Sequence, residues 1–572
     1  MKKKEGQLSK SRMLVFKILA ISLPFLLIFL LEVSLRLLQV GDNYSVFIED
    51  KTGKFKYLNP AVSKKYFLNQ ANATTGFTEA FQKTKQKNTF RIFVMGASTA
   101  VGFPYFHNGS FHRMLAYRLH RIFPDVHFEI INTGLTAINS YTLVDFAEAI
   151  AREAPDAVLI YAGHNEYYGA LGVGSTSNLG NHPVMVSTML KIRDLRLVQL
   201  ILKIVWSTSS DQNETDVSET LMERMVNEQK IFLNSEAYQN GINQFELNLN
   251  KVLKHLHQQH IPVLISTIAS NLKDQSPLLA DYQPTLAEQA KKHVAKAKSN
   301  LEVGDTANAI LSYKEALNID SSHAENHFDL ATLYYKKRAF AKARKHFMLA
   351  KENDLLRFRA PEKINGIINN LANTWENVHL VDVKKEFENE AENNIPGKDL
   401  FLEHLHPNQK GYYLIAETFV IALKNQNLIK KTWPSVSDSN LFWEQVPFTK
   451  VDSLYGLYKT WMLKEQWPFN EPMPAEEQRE KTFEEKVAGG LSVGTIEWGD
   501  AMNAMFEHYS KKKDLKEAMK ITESLILEFP YDLRLYDRVG KLCEKTNEPE
   551  RAFTYYKRAF ALEANEKWSQ KV

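Results

Sequence analysis

From Phe90 onward, short apolar runs alternate with amphipathic stretches, and this alternation limits the fold of the 572-residue chain more than any other feature. Phe90–Met95 reads as a buried strand and leads directly into Gly96-Ala-Ser-Thr-Ala-Val-Gly102. A helix over 111–122 follows, then a strand over Phe128–Ile131 that ends in Asn132-Thr-Gly134. A helix over 143–154 leads to Ala157–Tyr161, which ends in Ala162-Gly-His-Asn-Glu166. A helix around 244–258 precedes Ile261–Ser266, and His379–Val383 supplies a fifth run late in the chain. Strands alternating with helices form parallel sheets covered on both faces. The expected fold class is therefore α/β, with a parallel five-stranded sheet between two layers of helices. In such sheets ligands bind beyond the carboxyl ends of the strands. Ser98, Gly134 and Asn165 all lie just past such ends.

Ahead of this pattern, Ile18–Leu31 is an unbroken apolar run, and its flanks, Met13–Lys17 and Val33–Val40, extend it. Together they give roughly 20–28 spanning residues, enough to cross a hydrocarbon core. Bulky side chains over 32–40 leave no small-residue cleavage site. Lys17 can snorkel to the near interface, and Glu32 can pair with Arg36 one turn on near the far one. Residues 13–40 are expected to form an uncleaved signal anchor, with residues 1–12 cytoplasmic and the bulk extracytoplasmic; a cleaved signal and a buried core helix are the alternatives. Such a single-pass protein would sit in the inner membrane and face the periplasm if the chain is bacterial. The net charge of +4 supports this topology: residues 1–12 hold five basic side chains against one acidic, which is the whole excess. A neutral remainder gives no footprint for nucleic acid. A lone cysteine, Cys543, excludes an intrachain disulfide framework and a Cys-based zinc site.

A second period lies within the first. Ala309, Tyr313 and Ala316 recur 34 residues later as Ala343, Phe347 and Ala350, and Ala297 recurs as Ala331. Near the C-terminus Ala518 and Ala552 are again 34 apart, with Gly540, Tyr556 and Ala559 at the other small and aromatic positions. Small residues there let two antiparallel helices approach closely. The pattern resembles the tetratricopeptide repeat, with two units in 281–359 and two in 498–568, although Lys296, Asn300 and Arg338 depart from it. Two units fall short of the three or more that a free solenoid needs, so each pair is expected to lean on a neighbouring domain. Repeats of this kind imply protein partners. The intervening 429–497, rich in tryptophan and proline, is expected to wrap onto the preceding domain, with an aromatic carbohydrate-binding surface as the alternative.

The strand-end residues acquire a partner late in the chain, where Leu400-Phe-Leu-Glu-His-Leu-His-Pro407 puts Glu403 three residues before His406. Gly-x-Ser after the first strand, Gly after the second, Gly-x-Asn after the third and acid-x-x-His-Pro near the end together resemble the SGNH (GDSL-type) hydrolase family. The resemblance covers about 89–275 and 376–428, within hydrolase segments bounded at 89–280 and 360–428; 41–88 is an extended lead-in. It implies a flavodoxin-like three-layer fold and a serine esterase. Ser98 would be the nucleophile, His406 its base and Glu403 the group that orients the imidazole. The oxyanion hole would use the N–H groups of Ser98 and Gly134 and the Asn165 amide. The departures are Glu403 and Glu166 in place of Asp, and Gly96-Ala-Ser-Thr in place of Gly-Asp-Ser; none removes a catalytic atom.

Around these residues His164, Tyr167 and Tyr168 are candidate substrate-lining groups, with a structural hydrogen bond the preferred reading for His164 and a structural turn the alternative for the two tyrosines, whereas His404 is expected to point away. The polar stretch 207–225 is expected to begin as a disordered loop or flap. No metal-ligand spacing is evident, and the mechanism calls for no cofactor. The function expected is hydrolysis of acyl esters through an acyl-enzyme, with O-acetyl groups of an envelope glycan as the substrate class. The alternatives are O-acyl transfer from the same acyl-enzyme and a non-catalytic repeat scaffold of the envelope.

Overall fold

Gly96 closes the first strand of the central sheet against a neighbour that leaves no room for a side chain. A Cβ there would lie 2.2 Å from the Tyr161 carbonyl oxygen and 2.6 Å from Ala100 Cβ. The computed structural model describes residues 10–176, 183–208, 220–227, 230–434, 445–475 and 478–572. Most of the basic tail, most of the polar 207–225 stretch and Trp443 lie outside those residues.

A long helix, α1 (Lys10–Leu37), opens the chain. Its apolar stretch has a mean hydropathy of 2.7 and none of it is buried in the protein. Next come β1 (Phe47–Glu49), β2 (Phe55–Leu58) and β3 (Phe81–Gln82), an antiparallel three-stranded sheet. This corrects the extended lead-in expected over 41–88, whose strands are too short to announce themselves as periodic segments. The central sheet consists of β4 (Thr89–Gly96), β5 (His127–Asn132), β6 (Ala157–Tyr161), β7 (Val263–Ser266) and β8 (Val378–Val381). Its order is β5-β4-β6-β7-β8 and every pairing is parallel. Arg91, 1% exposed, ties the two sheets together: it donates to Glu129 Oε2, the Gln82 carbonyl and the Glu153 carbonyl, each at 2.6 Å. A buried guanidinium is tolerated because these bonds and the Glu129 charge replace its water.

The helices of the sheet, in chain order, begin with the single turn α2 (Ser98–Val101), α3 (Phe111–Ile122) and α4 (Ser140–Ala151). After α5 (Pro183–Arg193), α6 (Arg196–Thr208) and α7 (Leu221–Met225) comes α8 (Glu236–Gln258). The inserted hairpins are α9 (Ala287–Glu302), α10 (Thr306–Ile319), α11 (Ala324–Lys336) and α12 (Phe340–Asn353), and the sheet resumes with α13 (Glu362–Ala372), α14 (Val383–Glu390) and α15 (Gln409–Asn425). α3 packs on α15 over one face, while α4, α8 and α13 pack together over the other. The expected α/β class with helical hairpins added is thus the architecture found.

Both repeat pairs lean on the sheet domain. In the insertion Ala297, Ala309, Ala316, Ala331 and Ala343 have no exposed surface, as close helix approach requires. Arg338 takes the turn position with φ +57°, a backbone state that Gly304 occupies freely one unit earlier. Asp354 fastens exit to entry, accepting the N–H groups of Leu278 (2.9 Å) and Leu279 (3.1 Å) and pairing with Arg359 (2.9 Å). The stretch after α15 contributes Trp433, Val446 and Phe448 to the sheet domain's core, then forms α16 (Lys450–Glu465) and α17 (Phe483–Ser492). Val451, Val487 and Ala488 from these two helices belong to the core of the final array: α18 (Trp498–Lys511), α19 (Leu515–Glu528), α20 (Leu533–Lys545) and α21 (Pro549–Leu562).

That array docks on the β5 edge. Tyr531 donates to Glu129 Oε1 (2.7 Å), Asn108 donates to the Ser524 carbonyl (3.3 Å), and Glu528 meets Arg113 and His107, each at 3.1 Å. Burial opposes the Glu528 charge, but Arg113 and His107 outweigh it and hold the carboxyl at about 2. The unfolded chain binds this proton near 4.5, so the stabilisation is complete above pH 4.5 and is lost as the pH falls toward 2. Glu528→Gln is expected to lower stability by about 2–4 kcal/mol at pH 7. The gap to wild type should close progressively below pH 4.5, checked by thermal melts across pH.

Candidate active site

The position of Ser98, the expected nucleophile, follows from the end of β4. Because Gly96 packs flat against β6, the chain turns at once, and Ser98 becomes the first residue of α2. The N–H of a first-turn residue has no intrahelical acceptor. Ser98 Oγ is 2.8 Å from His406 Nε2, across 308 residues of sequence. His406 Nδ1 is in hydrogen-bond contact with Glu403 Oε1, which also accepts the His406 backbone N–H at 2.9 Å. Asn271 holds this loop from the end of β7: its amide donates to the Glu403 carbonyl (3.1 Å) and its N–H to the His404 carbonyl (3.0 Å).

Burial pushes the His406 pKa down to about 3, so the ring is neutral. With Glu403 accepting from Nδ1, the tautomer leaves Nε2 as an acceptor for the serine proton. The arrangement is chemically competent for nucleophilic attack with general-base assistance.

Asn165 sits on a turn entered through Gly163 at φ +148°, and it borders the cleft beside Ser98 and His406. Glu166 points away from the cleft, accepting from Ser140 Oγ (2.6 Å) and Ser140 N–H (3.2 Å) and contacting the Gln244 amide. It fastens the Asn165 turn to the start of α4 and to the third turn of α8. Burial pushes its pKa up to about 7, against those hydrogen bonds.

Three expectations are corrected here. Gly134 does not offer its N–H to the cleft; it donates to Asn132 Oδ1 at 2.8 Å, in a turn whose Asn132 amide also holds the Ala100 carbonyl of α2 (2.7 Å). Ala137 lines the cleft instead, at φ +58°, and its N–H makes no hydrogen bond among the described residues. His164 makes the structural hydrogen bonds preferred for it over substrate contact: its ring is buried between the Ala269 carbonyl (3.1 Å) and the Ala360 N–H (3.2 Å), with a pKa pushed down to about 3 by that burial. Tyr167 is fully buried and donates to the Tyr238 carbonyl at 3.0 Å, so only Tyr168 of the three reaches the cleft. His404, expected to point away, is 1% exposed and touches Glu403 Oε2 through Nδ1, so that two imidazoles flank one carboxylate.

Glu403, His404 and His406 therefore bring donor atoms within 4.8 Å of one another, a grouping that spacing did not suggest. Sequence reasoning missed Ala137 and His404. An alanine carries no signature, and nothing local says which side of Glu403 its neighbour will occupy.

The cleft itself holds about 170 Å³ and is walled by Phe103, Leu221, Met222, Met225, Phe358 and Leu463. These come from four separate parts of the chain, including α7 and α16.

No family model and no curated protein matches the chain. Solved structures similar to it include an acetyl xylan esterase (14% identity, TM-score 0.27, covering 58% of this chain and 100% of that one). They also include a GDSL-like lipase from Bacteroides thetaiotaomicron (10%, 0.27, 60% and 93%) and a TPR protein with an unusual peptide-binding site (10%, 0.13, 50% and 98%). At such scores the overlays carry no weight for the chemistry, which rests on the site's own geometry.

The neutral His406 generates a pH prediction. Fluorophosphonate labelling of Ser98 should keep its rate as the pH falls from 8 through 6.5, where an imidazole of ordinary pKa loses its basic form. Timed labelling across pH checks this.

Proposed function

We propose that the chain is a membrane-anchored serine ester hydrolase of the SGNH type, with α1 as its single span and the catalytic body on the extracytoplasmic side. The observation that carries this reading is the unbroken line Glu403–His406–Ser98 opening onto an apolar cleft. Ser98 Oγ attacks the ester carbonyl as its proton passes to His406 Nε2. The tetrahedral oxyanion is met by the Ser98 N–H, the Ala137 N–H and the Asn165 amide. The C–O bond to the leaving alcohol then breaks, and His406 protonates that alcohol. Water activated by the same imidazole hydrolyses the acyl-enzyme.

The slot is larger than an acetyl group needs and its walls are aliphatic and aromatic, so it suits a longer apolar acyl chain on an envelope ester better than acetyl alone. The same apolar walls favour a second reading, in which a sugar hydroxyl takes the acyl group in place of water.

In the full-length protein, Ser98→Ala and His406→Ala are expected to abolish labelling by a fluorophosphonate probe and turnover of aryl esters. A folded wild type that neither labels nor turns over aryl esters would overturn the proposal. Asn165→Ala should lower kcat/KM about 100–1,000-fold, since it removes one oxyanion donor. Across aryl acetate, butyrate and hexanoate, kcat/KM should rise with chain length, and Met222→Trp should reverse the order by filling the slot. Acylated product on adding acceptor sugars would establish transfer.

A further inference from the structure

Two consecutive helices beside α1 leave large aliphatic side chains uncovered. α5 buries Val186 and Leu190 against the body and turns Val184, Met185 and Ile192 outward, Val184 being 81% exposed. α6 leaves Ile201 and Ile204 each more than half exposed. Soluble surfaces seldom leave neighbouring large apolar groups open unless something covers them.

Their attachment to α1 indicates what does. Glu32, in the later turns of α1, accepts the N–H groups of Arg196 (3.0 Å) and Leu197 (2.9 Å) and so caps the start of α6. Arg36, one turn further, pairs with Glu32 (2.8 Å) and donates to the Asp194 carbonyl (3.0 Å) between the two helices. α6 then lies against α1. These bonds fix the junction of α5 and α6 at the level where α1 emerges from its apolar stretch. Lys191 and Lys203 are exposed on the same pair of helices. An aliphatic stripe edged by lysines suits the boundary between acyl chains and phosphates, where the charges meet headgroups while the stems stay in hydrocarbon.

We infer that α5 and α6 lie in the interface of the bilayer that α1 crosses, with Val184, Met185, Ile201 and Ile204 in its acyl boundary and Lys191 and Lys203 among the phosphates. This rests on the reading of α1 as a span, and the experiment separates the two. The full chain would be reconstituted in phosphatidylcholine nanodiscs with and without doxyl-labelled lipid. A fluorophore would be attached at one of four single substitutions: Leu26→Cys in α1, Met185→Cys, Ile204→Cys, or Val303→Cys on the inserted hairpins. The native Cys543 is buried, which pushes its thiol up to about 12, so it takes no label.

Doxyl lipid is expected to quench positions 26, 185 and 204 by at least about twofold and to leave 303 unaffected. A quencher near the headgroup should act more strongly at 185 and 204, and one deep in the chains more strongly at 26. Quenching at 26 without quenching at 185 and 204 would overturn the interfacial helices while the span stands. No quenching at 26 would overturn both.

Discussion

The contact between Gly96 and the carbonyl of Tyr161 sets the position of Ser98, on which the proposed chemistry depends. A Cβ at 96 would meet that oxygen at 2.2 Å. Because the position is bare, β4 stays in register with β6 to its last residue, and the chain can break into α2 directly above the sheet. Ser98 is then delivered to the same edge as the ends of β5 and β6, since parallel strands finish on one side. The loop before α15 reaches that edge from the far end of the sheet, and the 2.8 Å contact of Ser98 with His406 closes the circuit.

The helical pairs behave as braces more than as free solenoids. The inserted pair is fastened by Asp354 and Arg359, and its exit carries Phe358 into the cleft wall. The C-terminal array is fastened by Tyr531 and Glu528 to the strand edge beneath Arg91 and Arg113. In each case a buried charge is matched by an opposite charge and by backbone groups, which fixes orientation where an aliphatic contact alone would allow sliding. α16, reaching back with Leu463, makes the C-terminal half part of the cleft beside Ser98 and His406.

Much of the site was legible because its chemistry is carried by distinctive residues at strand ends. Ser98, Asn165, Glu403 and His406 could be picked out, and the structure brings all four together. Gly134 misled because glycine after a strand signals a tight turn whatever that turn is for. Here the Asn132 side chain takes up its N–H, and the open N–H belongs to Ala137, three residues on. Tyr167 misled for a related reason: adjacency to Asn165 in sequence says nothing of direction, and the turn after Gly163 sends it into the interior. The small sheet over 47–82 was invisible because strands of two to four residues carry no measurable period.

The sequence by itself determined the α/β class, the 34-residue repeats and the long apolar helix at the N-terminus, and it singled out a serine, a histidine and an acid that meet in space. These depend on local periodicity and on residue chemistry, both of which a linear string records. Only the tertiary structure decided that the Gly134 N–H is taken up by Asn132, that His404 flanks Glu403, and that the cleft is walled by side chains from α7, α16 and the end of the insertion. Those outcomes depend on the direction of individual side chains and on surfaces hundreds of residues apart meeting at van der Waals distance. That information arises only when the sheet, the insertion and the C-terminal array pack against one another.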